Sequence, residues 1–265
     1  LHRRRHSFPT RRSSDLYPDA AGTTDELIQA ADGAMYQAKR RGRSGVTVVR
    51  SPDRHVVVRS AFEHDLHHAL DRGELVLHFQ PQFALADEHL VGFEALLRWQ
   101  RPGAALVPPS EFIPLLEDSG QIVAVGEWVI ERACEQLACW RAAGRTGLRV
   151  AVNLSAHQFT DSALVGWTRT CLARHGVPAR LLELEITESH LMANTAQTSA
   201  VLAELRALGV RIAIDDFGTG FSSLAYLNRF PVDCLKIDRS LIEQLPSARN
   251  GETITHTIIA LGHHL

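Results

Sequence analysis

Apolar runs of strand length recur along this chain, and five of them end in an oxygen-rich or cationic group. Val91-Gly-Phe93 runs into Glu94, and Leu148-Arg-Val-Ala-Val152 runs into Asn153. Leu182-Glu-Leu184 leads to Glu185 and Glu188, Arg211-Ile-Ala-Ile214 to Asp215 and Asp216, and Cys234-Leu235 to Lys236 and Asp238. The pattern predicts strands over 75–83, 90–99, 148–153, 181–187, 210–215 and 233–237. It predicts helices near 125–142, 161–174, 194–208, 222–229 and 250–264, with a capped segment opening at Ser110. The connection between the first two strands is too short for a helical crossover, so that pair is expected to be antiparallel. From there the alternation of strand and helix argues for a parallel sheet covered on its outside. The expected fold is α/β, a TIM-like β/α barrel with an antiparallel first strand pair. Polar groups at the carboxyl ends of successive strands are what such a barrel gathers on one rim. Six strands are legible where a closed barrel has eight, so the barrel is expected to be incomplete by about two.

Upstream the pattern changes. Residues 1–16 are arginine-rich without apolar periodicity and read as a disordered, non-native tail. His6–Leu16 resembles translated sequencing-adapter DNA and carries no functional argument. Residues 24–41 predict a helix, with a capping box from Thr23 to Glu26 and an apolar face of Leu27, Ile28, Ala31, Ala34, Met35 and Ala38. Val46–Val49 predicts a short strand. One helix and one strand bury no core, so residues 17–50 are expected to be the end of another domain. A linker is expected over 51–56. Phe62, Leu66, Ala69 and Leu70 then mark an amphipathic helix that ends at Gly73.

Composition narrows the class only slightly. A formal net charge of −2 gives no footing for non-specific binding to nucleic acid or membrane, and no DNA partner is expected. No apolar run approaches the roughly 20 residues that span a bilayer. The four cysteines (Cys134, Cys139, Cys171, Cys234) show no CxxC spacing and read as reduced, mostly buried thiols of a cytoplasmic protein. Histidines are numerous, but none stands at a metal-ligand spacing such as HExxH.

The strand-end groups carry the chemistry. Alone, Glu94 is as well explained by pairing with Arg98 in the following turn, and Asn153 by a turn or cap role. Asp215 and Asp216 are adjacent carboxylates that repel unless a cation lies between them. Neighbouring strand residues face opposite ways, so both reach one site only where the strand ends, and the glycines that follow supply that break. Glu183 shares the side of Glu185 but lies deeper. Lys236 is either a counter-ion or a group that holds an attacking water, with Asp238 two residues on and facing the same way. Carboxylates, an amide and a lysine on one rim call for hard cations such as Mg²⁺ or Mn²⁺. The chemistry they suit is metal-assisted attack on a phosphate or a carbonyl centre.

Glu94-Ala-Leu-Leu-Arg-Trp99 resembles the signature of the EAL family of cyclic di-GMP phosphodiesterases. The likeness continues in Phe79–Gln82, Phe112–Leu115, Val125–Trp128, Val152–Ser155, Glu185–Ser189, Asp215–Gly220, Ser222–Leu227 and Leu235–Asp238. It implies a truncated EAL domain over 57–265 that hydrolyses cyclic di-GMP to linear pGpG with two divalent cations, Mg²⁺ or Mn²⁺. It further implies that Glu94, Asn153, Glu185 and Asp215 hold one cation, with Asp215 and Asp216 engaging the second. Lys236 would position the nucleophilic water with Asp238 beside it, and Gln80 and Arg98 would contact the dinucleotide. Glu188 would brace the Asp215–Tyr226 loop, which the family uses for metal retention and dimer coupling. Ala31–Arg43 resembles the closing segment of GGDEF diguanylate cyclases, so 17–50 is expected to be the remnant of such a domain. A sensory domain, and possible membrane anchoring, would belong to a parent protein. The alternative is a cyclic di-GMP receptor that binds without cleaving.

Overall fold

A computed structural model describes residues 54–160, 163–193, 195–218, 230–243 and 249–263. The chain divides into two units, Leu1–Ala69 and Leu70–Leu265. In the first, helix α1 runs Arg54–Ala69 and takes in the last three residues of the linker expected over 51–56. The tail, the helix expected over 24–41 and the strand expected over 46–49 lie outside the described residues.

In the second unit six strands form one sheet whose order follows the chain. They are β1 (Leu75–Phe83), β2 (Leu90–Trp99), β3 (Arg149–Asn153), β4 (Leu182–Thr187), β5 (Arg211–Phe217) and β6 (Cys234–Ile237). β1 pairs antiparallel with β2, and every later pairing is parallel. This is the expected α/β architecture, an arc of β/α barrel behind an antiparallel first pair. Among the described residues the sheet is open, with β1 and β6 as its edges.

Among the described residues of this unit the helices are α2 (Pro109–Ser119), α3 (Ile122–Ala142), α4 (Leu164–His175), α5 (Glu188–Ala193), α6 (Thr195–Ala207), α7 (Arg239–Glu243) and α8 (Arg249–Gly262). α3 packs on β3 and on α4, α6 on β5, and α8 on β6. α3 buries Val125, Val129, Ile130, Ala133 and Leu137, the spacing of one helical face. Against it lie Val150 and Val152 of β3, while Leu182, Leu184, Ile186, Ile212 and Ile214 continue the buried layer along β4 and β5. Because side chains alternate across a strand, the residues between these occupy the opposite, polar-bearing face. On β1 and β2, Phe79 meets Trp140 of α3 edge to face and Phe93 lies tilted against it, at centroid distances of 5.3 and 4.6 Å.

Two local expectations change. Ser110 does not cap α2: Pro108 stands at the cap in extended conformation (φ −74, ψ 152), and no side chain caps it. Prolines suit that first turn because they carry no N–H in need of a partner. The helix expected near 222–229 lies outside the described residues. Gly92 is fixed by strand packing. A Cβ there would lie 2.6 Å from the carbonyl oxygen of Arg149, its partner on β3, so a side chain would force the two strands apart.

Candidate active site

Five strands deliver one polar cluster to the carboxyl-terminal rim. The parallel register sets Asn153 beside Glu185 and Thr187 beside Asp215. Lys236 Nζ donates to Glu185 Oε2 at 2.5 Å, to Asp215 Oδ2 at 3.1 Å and to Glu94 Oε2 at 3.3 Å. Asn153 Nδ2 donates to Glu94 Oε1 at 2.9 Å. Glu94, Glu185 and Asp215 each present an oxygen within 4.8 Å of the others. Glu94 is therefore engaged by Asn153 and Lys236 rather than by Arg98. One layer deeper, Glu183 Oε2 accepts from Arg211 Nε at 2.9 Å, which closes the floor with a neutralised pair.

The remaining expected residues take different places. Asp216 has left-handed backbone (φ 54), and the β5–β6 ladder is irregular between Ile214 and Phe217. The break that separates the two aspartates thus falls at Asp216 itself, not at the glycines after it. Asp216 shares a hydrogen bond with Asp238. Its carboxyl is pushed up by partial burial and then by the charges of Asp215 and Asp238. Asp238 Oδ1 also accepts from the Ser240 N–H at 2.9 Å and from its hydroxyl, so it caps the start of α7. Those hydrogen bonds lower its carboxyl below the usual range. Asp238 is spent on α7 and Asp216 rather than on Lys236.

Glu188, expected among the catalytic groups, opens α5 behind the cluster, where its buried Oε2 accepts from the Gly218 N–H at 3.0 Å. Gly218 sits at φ 99, and a Cβ there would come within 2.8 Å of both Leu241 and Ile258. The rest of the expected Asp215–Tyr226 loop, from residue 219 on, lies outside the described residues. Gln80 pairs with Glu94 in the β1–β2 ladder and so shares its face. Arg98 lies within β2 rather than in the turn after it, with Nη1 on the Leu97 carbonyl at 2.8 Å. Four residues of strand put it roughly 13 Å along the sheet from Glu94, on the same face.

The EAL domain family model matches residues 63–265. This chain belongs to the EAL domain family. The chain is 43% identical over 251 residues to the bifunctional diguanylate cyclase/cyclic di-GMP phosphodiesterase MucR of Pseudomonas aeruginosa, covering 94% of this chain and 37% of MucR. It is 42% identical over 254 residues to the cyclic di-GMP phosphodiesterase NbdA of the same organism, covering 94% and 32%. It thus spans about a third of the length of these curated relatives. A solved structure of the PaMucR phosphodiesterase in complex with c-di-GMP is similar at a TM-score of 0.73 and 45% identity, over 76% of this chain and 81% of that one.

The charges of this EAL domain's rim do not balance on their own. Three carboxylates surround one ammonium, and the Glu185 side chain is fully buried. Its burial, reinforced by Glu94 and Asp215 and only partly offset by Lys236, pushes the Glu185 carboxyl from 4.5 up to about 8. Burial works against the Lys236 ammonium, but the carboxylates outweigh it and hold its pKa above the usual lysine range. Glu185 Oε1 is buried with no hydrogen-bond partner. A buried acceptor left unsatisfied is costly, and a cation removes that cost. The donor set of carboxylates and one amide fits a hard divalent cation, which would displace the proton from Glu185 and offset the carboxylate charge.

Sequence reasoning passed over the turn after Asn153. Ser155, Gln158 and Glu117 form a hydrogen-bonded group there. The sequence offers little to single it out, since the burial of Gln158 is visible only in the fold.

Proposed function

We propose that this EAL domain hydrolyses one phosphodiester bond of cyclic di-GMP to give linear pGpG, using divalent cations held at the rim. The uncompensated Glu94–Glu185–Asp215 cluster around Lys236 carries the reading. Family membership and the named activities of MucR and NbdA support the substrate. Glu94, Glu185 and Asp215 supply carboxylate oxygens to one cation and Asn153 its amide oxygen, since the Asn153 amide nitrogen is already committed to Glu94. Asp215 and Asp216 reach toward a second. The cations are Mg²⁺ or Mn²⁺, the hard ions that oxygen ligands suit. When bound, they supply a more acidic water and offset charge at the phosphate.

Lys236 keeps its proton at neutral pH, so it acts as a donor that orients the attacking water and not as the base that deprotonates it. Attack at phosphorus breaks the bond to the ribose 3′ oxygen, and the phosphate stays on the 5′ side of pGpG. Gln80 and Arg98, on the face of Glu94, are placed for the body of a ligand longer than the cation site. Glu188 acts indirectly, by tying the end of β5 through Gly218.

The chain's relation to a larger protein follows the same reading. The MucR alignment extends beyond the segment 63–265, which supports a GGDEF remnant over 17–50 of a protein that carries cyclase and sensory parts upstream. The domain works as a homodimer in the cytoplasm. Free cysteines agree with that compartment.

The test is turnover of cyclic di-GMP to pGpG followed by chromatography, with Mg²⁺ and then Mn²⁺. Glu94→Ala should abolish turnover, a loss of at least about a thousandfold, with an unchanged circular dichroism spectrum. Turnover that survives in this variant refutes the assignment.

A further inference from the structure

The turn that follows Asn153 is held from three sides. The Leu154 N–H donates to the Glu185 carbonyl at 2.8 Å. The Ser155 N–H donates to Gln158 Oε1 at 2.9 Å, and the Ser155 hydroxyl to Glu117 Oε1 of α2 at 2.5 Å. The Gln158 N–H returns to the Ser155 carbonyl at 3.1 Å, which closes a small ring of side chain and backbone. Gln158 is only 3% exposed, an unusual depth for a glutamine.

Its amide is seated on a glycine of the neighbouring helix. A Cβ at Gly126, on α3, would lie 1.9 Å from Gln158 Nε2 and 2.5 Å from its Cδ. Every other residue at 126 would evict the amide. Gly126 is mid-helix with no turn to make, and glycine there costs about 1 kcal/mol against alanine. The close approach of Gln158 is what the structure gains from it.

We infer that Gln158, seated on Gly126, is a positioning residue that fixes the Asn153 amide oxygen at the cation site. This rests on the reading of Asn153 as a cation ligand. Asn153 ends β3, and its exposed side chain is held by the bond to Glu94. The backbone on its carboxyl side must therefore be fixed if the amide is to keep one orientation. Gln158 fixes it by holding the N–H two residues on. Partners that orient a metal ligand commonly change metal affinity 10–100-fold when removed.

The experiment measures Mn²⁺ binding to the full chain by electron paramagnetic resonance of the free ion, with no substrate present. Gln158→Met keeps the volume and removes the acceptor, and should weaken Mn²⁺ about tenfold. Gly126→Ala leaves the glutamine in the chain but takes away its seat, and should give a similar loss, which provides a second route if either variant folds poorly. Asn153→Ala supplies the decisive arm: in that background Gln158→Met should cost almost nothing further, because the ligand it positions is gone. Wild-type Mn²⁺ affinity in Gln158→Met, or a tenfold loss that adds in full to that of Asn153→Ala, overturns the inference while leaving the cation site standing. A wild-type chain that fails to bind Mn²⁺ overturns both.

Discussion

Replacing Glu185 with glutamine isolates the charge that the rim carries when no cation is bound. In the folded, cation-free chain the Glu185 carboxyl titrates near 8, against an ordinary value of 4.5. Between those values the folded state retains a proton that the unfolded state has released. The associated stability is therefore fully present below about pH 4.5 and is lost as pH rises toward 8. Taken alone, Glu185 would cost roughly 3 kcal/mol between pH 5 and 7.5 at about 1.4 kcal/mol per unit of displaced pKa. Its titration is coupled to the charge of Lys236, so the loss spreads over a wider range, and about half of it falls in that window. The result is about 1.5 kcal/mol, on the order of 3–6 °C in Tm for a domain of this size. Thermal unfolding in EDTA, followed by circular dichroism from pH 5 to 8, should show the variant gaining on the wild type by that amount as pH rises. Mn²⁺ should restore the wild type at pH 7.5 and leave the variant nearly unmoved. Parallel profiles, or a variant that loses ground with rising pH, would refute the charge argument.

Three further outcomes are expected. Lys236→Ala should lower turnover at least a hundredfold with cyclic di-GMP affinity within a few-fold of wild type, measured by calorimetry; a pure binding defect contradicts its role as water positioner. Gly92→Ala should lower the unfolding free energy, measured by urea titration, by roughly 2 kcal/mol, because the intruding Cβ meets backbone rather than a side chain that can swing away. Glu131 is held down to about 2: burial opposes the shift, but hydrogen bonds from Cys171, His175 and Arg174 outweigh it. Its stability is present above 4.5 and lost as pH falls toward 2, so Glu131→Gln should cost about 2 kcal/mol at pH 6 and progressively less below pH 4 in urea titrations.

The strands and the rim were legible because alternation and burial act on residues a few positions apart. Asn153, Glu185 and Asp215 each stand at the end of an apolar run, and register alone then brings them together. Asp216 was not legible in the same way. Aspartate tolerates left-handed backbone, and nothing in Asp215-Asp216-Phe-Gly reveals which residue adopts it. Asp238 stands two residues past Lys236, and because β6 ends at Ile237, as expected, Asp238 also caps α7. The seat of Gln158 on Gly126 joins residues 32 apart on different elements, and only the packing of α3 on β3 brings them together. α5 and α7 escaped notice because six and five residues are too few to establish a helical period.

The central claim is that Glu94, Glu185 and Asp215 hold a divalent cation. Anomalous diffraction at the manganese edge, from crystals of this chain grown with Mn²⁺, tests it without reference to turnover. The account predicts a peak about 2.1 Å from an oxygen of each of the three carboxylates and of Asn153. A protein with Mn²⁺ bound elsewhere, or with Lys236 still holding all three carboxylates and no peak between them, would contradict it.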